Sequence, residues 1–274
     1  MPAVRAHDLL GVDATDHPLR FELPLKQSLL TPGKFLFGGA GLAAAIEAME
    51  AATGRPLVWA TAQYVSFARM PATLDLVVAV VASGHHVTQA RCVVSNGGRE
   101  ILSATAALGH RPLPAAGQWA EPPTVPQPDD CPAGPRIESF KGTILDVMDI
   151  RLAAGRNYEE LDGSPASGRS ALWVRLPDGA GEVSAADLAL VADNMPTGIG
   201  QALGRPAGGN SLDNTIRVCR LAPTEWVLVD IHVHAVSDGF GHGRAHLWSQ
   251  DGVLLGTASQ SVIVRFWDHR PGFT

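Results

Sequence analysis

Two sets of side chains in this 274-residue chain are of types that could do chemistry. One set is a carboxylate, a hydroxyl and an amide: Asp193, Ser211 and Gln260. A carboxylate can accept a proton, and a hydroxyl and an amide both donate and accept hydrogen bonds. Asp193 falls about 140° from Leu188 on a helical wheel of ~100° per residue, off the apolar stripe of its helix. Ser211 opens a strand after the flexible Gly208-Gly209-Asn210, and Gln260 stands in a final strand among Ala258, Ser259 and Val262. The other set is histidine: His232-x-His234 on one strand and His242-x3-His246 on the next. A hairpin turning at Asp238-Gly239 would put His232 opposite His246, within metal-ligand reach. The alternation opposes that use. Ile231 and Val233 take the core face, so Asp230, His232 and His234 point outward, and no metal site is expected.

Other standard sites are missing. No GxxxxGK[ST] loop cradles phosphates, and no GxGxxG follows a strand. The string nearest a GxSxG elbow, Gly209-Asn210-Ser211-Leu212-Asp213, ends in Asp, so a serine nucleophile activated by histidine is unsupported. Cys92, Cys131 and Cys219 are too few and too scattered for a disulfide framework or a CxxC metal site. Cys92 and Cys219 sit in apolar runs, where a thiol serves as a small hydrophobe.

The elements that must position the polar trio come twice. Leu74, Leu76, Val78, Val80 and Ala82 alternate along one strand face, and Val227, Val229, Ile231, Val233 and Ala235 do the same 153 residues later. The same offset pairs Arg91 with Arg244. Each half then has a turn signal, Asn96-Gly97-Gly98 or Asp251-Gly252, and a final strand over residues 101–108 or 253–266. Residues 64–67 and 216–219 read as the preceding strand, each followed by a proline, Pro71 or Pro223. Upstream, residues 21–25 alternate as a short strand, and Gly38-Gly39 leads into a helix over 40–52 with Leu42, Ile46 and Met49 as its stripe. In the second half, Ser184 with Asp187 reads as a variant capping box. Leu188, Val191 and Met195 carry that helix's stripe, and Gly198 and Gly200 end it.

Between Pro112 and Pro135, eight of 24 residues are proline, so neither helix nor central strand survives there. The expected organisation is a unit over residues 10–111, a Pro-rich linker over 112–135 and a second unit over 136–270. An order of strand, long helix and antiparallel strands, repeated, predicts an α+β architecture. Two halves with one fold should differ where only one carries a site. Under the 153 offset Gln260 lies opposite Ala107; near the middle of the helices, Asp193 lies opposite a run of alanines around residues 43–45.

Composition sets the bounds. Hydrophobic residues make up 46% of the chain and charged ones 18%, against about 25% charged in an average soluble protein. That supplies a sizeable core and excludes global disorder. The net charge of −6 comes with no basic run, so no nucleic-acid partner is expected. The N-terminus has no basic-then-apolar signal pattern. The longest uncharged apolar stretch, near residues 76–83, is far shorter than the ~20 residues that span a bilayer. With so few cysteines, a cytoplasmic protein is expected. Trp173, Trp226 and Trp248 near outward strand faces point to a homo-oligomer.

As an ordered set, several motifs resemble the acyl-CoA thioesterase II family, the double-hotdog thioesterases. In the first half they are Leu36-Phe37-Gly38-Gly39 at the helix start and residues 67–71, Phe to Pro, on the next strand. In the second they are Val191-Ala192-Asp193, Ser211-Leu212-Asp213, Glu225-Trp226, Asp251-Gly252-Val253-Leu254 and Ala258-Ser259-Gln260. The resemblance runs from about residue 20 to 268. It implies a double hotdog, two antiparallel sheets each wrapped around a central helix, and hydrolysis of an acyl-CoA to free acid and CoA without a cofactor. The family's catalytic Asp, Ser/Thr and Gln carry over onto Asp193, Ser211 and Gln260: Asp193 would accept the proton of a water that Ser211 and Gln260 hold. Gly38 and Gly39 become candidate backbone donors to the oxyanion. Arg69, Arg91, Arg217 and Arg220 are candidate contacts for the CoA phosphates. The sequence departs from the family at residues 60–64, Ala-Thr-Ala-Gln-Tyr, where relatives often carry a His, and at Asp213-Asn214, where Asp-His is common. A hotdog hydratase is a rival, but its Gly-Asp-x-Asn-Pro-x-His string is absent. A noncatalytic acyl-CoA-binding hotdog protein is the other alternative.

Overall fold

Short-range signals build the elements. Gly97 and Gly98 both take positive φ, and Asn96 pairs with Arg99 across them, a two-residue turn that only glycine-like residues enter cheaply. Asp238 and Gly239 do the same between Ser237 and Phe240. The Ser184 hydroxyl accepts from the Asp187 amide while the Asp187 carboxylate accepts from the Ser184 amide, a reciprocal cap. The computed structural model describes residues 5–134, 137–177 and 181–266. The expected second-unit bounds, 136 and 270, lie outside them, as do residues 1–4 and the end of the family resemblance at 267–268.

In chain order the elements are α1 (Arg5–Leu10), β1 (Asp13–Ala14), β2 (Arg20–Pro24), α2 (Gly38–Thr53), β3 (Leu57–Tyr64), β4 (Thr73–Ser83), β5 (Val87–Asn96) and β6 (Arg99–Gly109). Then follow α3 (Ile144–Val147), β7 (Asp149–Ala154), β8 (Arg169–Arg175), α4 (Ala185–Ala192), α5 (Thr197–Leu203), β9 (Ala207–Val218), β10 (Val227–Ser237), β11 (Phe240–Ser249) and β12 (Leu254–Phe266). Short 3₁₀ turns connect some of them.

Among the described residues the strands form one antiparallel sheet of 12, in the order β1-β2-β4-β5-β6-β3-β9-β12-β11-β10-β8-β7. Read from the middle outward, the two halves repeat each other: β3-β6-β5-β4-β2-β1 on one side and β9-β12-β11-β10-β8-β7 on the other. The β3–β9 ladder makes the sheet continuous, with Thr61 opposite Thr215 and their hydroxyls 2.7 Å apart. α2 packs on β2–β6 and α4 on β9–β12, and the two helices pack on each other. The small residues of α2 allow this: from Gly39 to Met49 only Glu47 is not fully buried. No helix among the described residues is long and apolar enough to cross a membrane.

Several local expectations are corrected. The strand placed at 64–67 ends at Tyr64, because the amides of Val65 and Ser66 both turn to the Ile101 carbonyl and leave the ladder. The second-half helix does not run through to Gly198. It stops at Asp193, and a separate helix, α5, holds both Gly198 and Gly200 and ends at Gly204. Pro196 sits at that break with no amide to continue the ladder. Ser211 lies inside β9 rather than opening it. Cys92 is buried as expected, but Cys219 is exposed.

The histidine register also differs. A bulge between Val233 and Ala235 takes one residue out of the pairing, so Asp230 faces His246 and His232 faces Arg244. Asp230 is 3.1 Å from His232 and 3.9 Å from His246. Their face is not the open surface the alternation implied. Residues 118–131 form a strap across its tryptophan end: Ala120 and Val125 pack on Trp173, Trp226, Leu228 and Trp248. The Trp173 indole donates to the Pro126 carbonyl, and Gln118 bonds both Gly252 and Leu254. The three tryptophans are at most 3% exposed, so they do not supply the oligomerisation surface expected of them.

Candidate active site

Asp193 ends α4, where the carboxylate meets the start of α2. Its Oδ2 accepts from the Gly39 amide at 2.6 Å, a bond between residues 154 apart in the chain. An amide in the first turn of a helix has no partner inside that helix, and the positive end of the helix dipole favours a carboxylate there. The approach needs glycine. A Cβ on Gly39 would sit 2.8 Å from the Asp193 Cβ and 2.9 Å from the Ala189 carbonyl.

The other oxygen, Oδ1, accepts from the Gln260 amide at 2.6 Å and from Asn214 at 3.4 Å. Gln260 also donates to the Ser211 hydroxyl at 2.6 Å. Asp193, Ser211 and Gln260 therefore come together in one chain of contacts. Register explains it: β9 and β12 place Gln260 directly opposite Asn214, both aimed at the side of the sheet that α4 covers. The equivalent pair in the first half is Ala106 opposite Ala60, so the register moves the counterpart of Gln260 one residue from the Ala107 that the 153 offset gives, and the next pair on that face is Ala62 opposite Ala104.

Burial lifts the Asp193 pKa to about 7, and the bonds from Gly39, Gln260 and Asn214 act in the other direction. Tyr64 stands beside it and donates to the Gly38 carbonyl at 2.8 Å. Burial first, then the charge of Asp193, holds the Tyr64 phenol well above its usual range, so it remains a hydroxyl. A groove of about 450 Å³ leads to this point, walled by Gly38, Tyr64, Phe67, Asp193, Ser211 and Arg265 among others. Gln260 is not part of its wall. It stands behind, with its Oε1 buried and unpartnered among the described residues.

Not every expected residue joins the site. The Gly39 amide is engaged by Asp193, so it is no oxyanion donor; Gly38, which lines the groove, is the one left. Arg69 reaches the groove residue Gly33, donating to its carbonyl at 3.2 Å. Arg91, Arg217 and Arg220 are exposed on the sheet and its connections and do not line the groove. Three residues were missed as parts of the site. Arg265 carried no local signal, and Tyr64 appeared only as the last residue of the 60–64 stretch that departs from the family. Asn214 stood out in the sequence only as a departure from a common Asp-His pair. Among the described residues no three His, Cys, Asp or Glu side chains are grouped to hold a metal ion.

Fold and site define a class: an antiparallel α+β protein with one buried, neutral-range carboxylate held between a helix start and a sheet amide. The model of the family described as acyl-CoA thioesterase C-terminal domain matches residues 128–264, half of the chain. A structure from Novosphingobium aromaticivorans, provisionally described as a thioesterase, is 36% identical, with 92% of this chain and 97% of that one covered and a TM-score of 0.81. A hot dog fold protein of unknown function from Alicyclobacillus acidocaldarius is 20% identical over 98% and 100% of the two chains, also with a TM-score of 0.81. An acyl-CoA thioesterase II from Mycobacterium marinum is 16% identical over 96% and 99%, with a TM-score of 0.73; at these identities the last two speak for the hot dog fold alone. A search of curated proteins by sequence finds no match. The chain belongs to the acyl-CoA thioesterase II family.

Proposed function

We propose that this protein hydrolyses acyl-CoA thioesters to free acid and CoA, with Asp193 as the base that activates water. The fold is then a double hotdog, with units over about residues 10–111 and 136–270 and one competent site per chain. The observation that carries the reading is the Asp193 carboxylate, clamped by Gly39 and Gln260 and facing a groove that Ser211 also lines.

A base works best with a pKa near the operating pH, and burial brings Asp193 to about 7. Ser211 accepts a bond from Gln260, so its own O–H is left to orient a water or meet the oxyanion. The water gives one proton to Asp193 as its oxygen bonds to the thioester carbon. The tetrahedral intermediate carries its negative charge on the former carbonyl oxygen, near the Gly38 amide. Collapse breaks the carbon–sulfur bond, and the CoA thiolate takes the proton back from Asp193. Gln260 acts here by fixing Asp193 and Ser211 rather than by touching the water.

Thiol release from a panel of acyl-CoAs, from acetyl to palmitoyl, tests the reading. Turnover by the wild type and its loss in Asp193→Asn are expected. A flat trace at every chain length, with acyl-CoA still bound, would leave the noncatalytic binder in its place.

A further inference from the structure

Tyr64 ends β3 on the inward face that it shares with the buried Ala60 and Ala62, and its ring packs against the core. Ala62 pairs with Asn214 across the β3–β9 ladder, so Tyr64, two residues on, lies diagonally across from Asn214. The phenol donates to the Gly38 carbonyl at 2.8 Å, and the Asn214 side chain faces the phenol oxygen. Gly38 makes the room for this. A Cβ there would sit 3.1 Å from the phenol oxygen and 3.0 Å from Asp193 Oδ2.

The Gly38 carbonyl and the Gly39 N–H are the two ends of one planar peptide. That N–H is the one that clamps Asp193 Oδ2 at 2.6 Å. The hydrogen bonds therefore run in line, phenol to carbonyl and amide to carboxylate, and each polarises the next. Asn214 closes the ring from the other side by donating to Asp193 Oδ1 at 3.4 Å. The two stretches at which the sequence departs from the family, residues 60–64 and Asp213-Asn214, thus meet at one carboxylate. Charged groups on the elements around the ring are Asp213 of β9, whose charge acts on Tyr64, the exposed Arg217 of β9, and Arg265 of β12 in the groove wall. Glu47 and Glu50 of α2 and Asp187 of α4 lie towards the far end of the helix pair. The groups that bond the carboxylate itself are uncharged: Gly39, Gln260 and Asn214.

On the reading of Asp193 as the base, on which this rests, we infer that Tyr64 is a positioning residue of the site: through the Gly38–Gly39 peptide it aims and strengthens the amide that clamps the carboxylate. Without the phenol O–H that amide is a weaker donor, so Asp193 keeps its proton to a higher pH. With a more acidic phenol the amide is a stronger donor, and the change reverses. A ring that only fills space gives no such reversal.

Tyr64→Phe removes one oxygen and keeps the ring. The acid limb of kcat/KM should move up by about half a pH unit. Plateau kcat should fall severalfold with KM within about twofold, since the hydroxyl bonds Gly38 and not the substrate. The chain has two tyrosines, Tyr64 and Tyr158, so meta-fluorotyrosine fed to a Tyr158→Phe protein replaces Tyr64 alone. Fluorine draws charge from the phenol and strengthens its O–H as a donor, so the limb should move down relative to the same protein without the label. Limbs unmoved in both proteins, or moved in the same direction, would overturn the coupling. If Tyr64→Phe does not fold, an unmoved limb in the fluorinated protein overturns it alone. A carbon-13 carboxyl titration, with the Asp193 signal identified by its loss in Asp193→Asn, reads the same two shifts without turnover. Opposite shifts there, in a protein that hydrolyses no acyl-CoA, would uphold the Tyr64 coupling and sink only the hydrolase reading.

Discussion

Two carboxyl groups sit at opposite ends of the α2–α4 pair, and of the two only Asp193 lines the groove. Asp193 meets the start of α2, and Glu47, near the far end of α2, lies close to Asp187 of α4. Burial lifts both to about 7. Their surroundings differ. Asp193 is held by three uncharged donors and lines the groove. Glu47 is faced by His7 of α1 at 3.4 Å, feels the like charges of Asp187 and Glu50, and does not line the groove. A raised pKa therefore marks burial. Donors that fix the charged form, together with an opening for substrate, distinguish a working carboxylate from a structural one.

The largest effect should come from breaking the working member. Asp193→Asn keeps the shape and removes the proton acceptor, so kcat should fall at least ~10²-fold in thiol-release assays. Next is the pH profile. The acid limb of kcat/KM should lie near pH 7, where Asp193 loses its proton, and fall about tenfold per pH unit below it. Replacing Asn214 by Ala removes a donor to the charged form, so that limb should move to higher pH. Gln260→Ala and Ser211→Ala should each cost on the order of tenfold in kcat, less than Asp193→Asn, because the base itself remains. A Gln260→Ala enzyme with unchanged kcat would remove the clamp from the mechanism.

The alanine ladder offers a complementary trial. Ala106→Gln places an amide in the first half where Gln260 stands in the second, but no Asn or Asp waits for it there. The expected outcome in urea titrations is a loss of about 1–3 kcal/mol from an unsatisfied buried amide, with no second active site. Glu47→Gln should have the smallest effect, under twofold on kcat. Its signature is in stability. A carboxyl whose folded pKa is raised binds its proton more tightly when folded, so its contribution is greatest below the unfolded value near 4.3 and is lost as pH rises towards 7. Glu47→Gln should therefore stabilise the protein more at pH 8 than at pH 5. An equal effect at both would show that His7 has already neutralised the cost.

The sequence alone determined what depends on near neighbours. Alternation at residues 74–82 and 227–235 marks strands because successive side chains point to opposite faces. The Gly97-Gly98 and Asp238-Gly239 turns need positive φ, and Ser184 with Asp187 closes a cap within one turn of helix. The repeat also singled out Asp193 and Gln260 as polar where the other half has alanine. Tertiary structure decided the rest, because the forces involved act between segments far apart in the chain. On the wheel Asp193 was merely a helix residue turned away from the stripe; α2, β9 and β12 bury it, and desolvation by those elements sets its pKa. Gly39 became its clamp and not an oxyanion donor because the two helices meet there. One bulge in β10 re-paired the histidines, and the Pro-rich stretch, which has no ladder to join, found its bonds across the tryptophan face. Register, burial and the closing of a strap are sums over many distant contacts, and no window of sequence contains them.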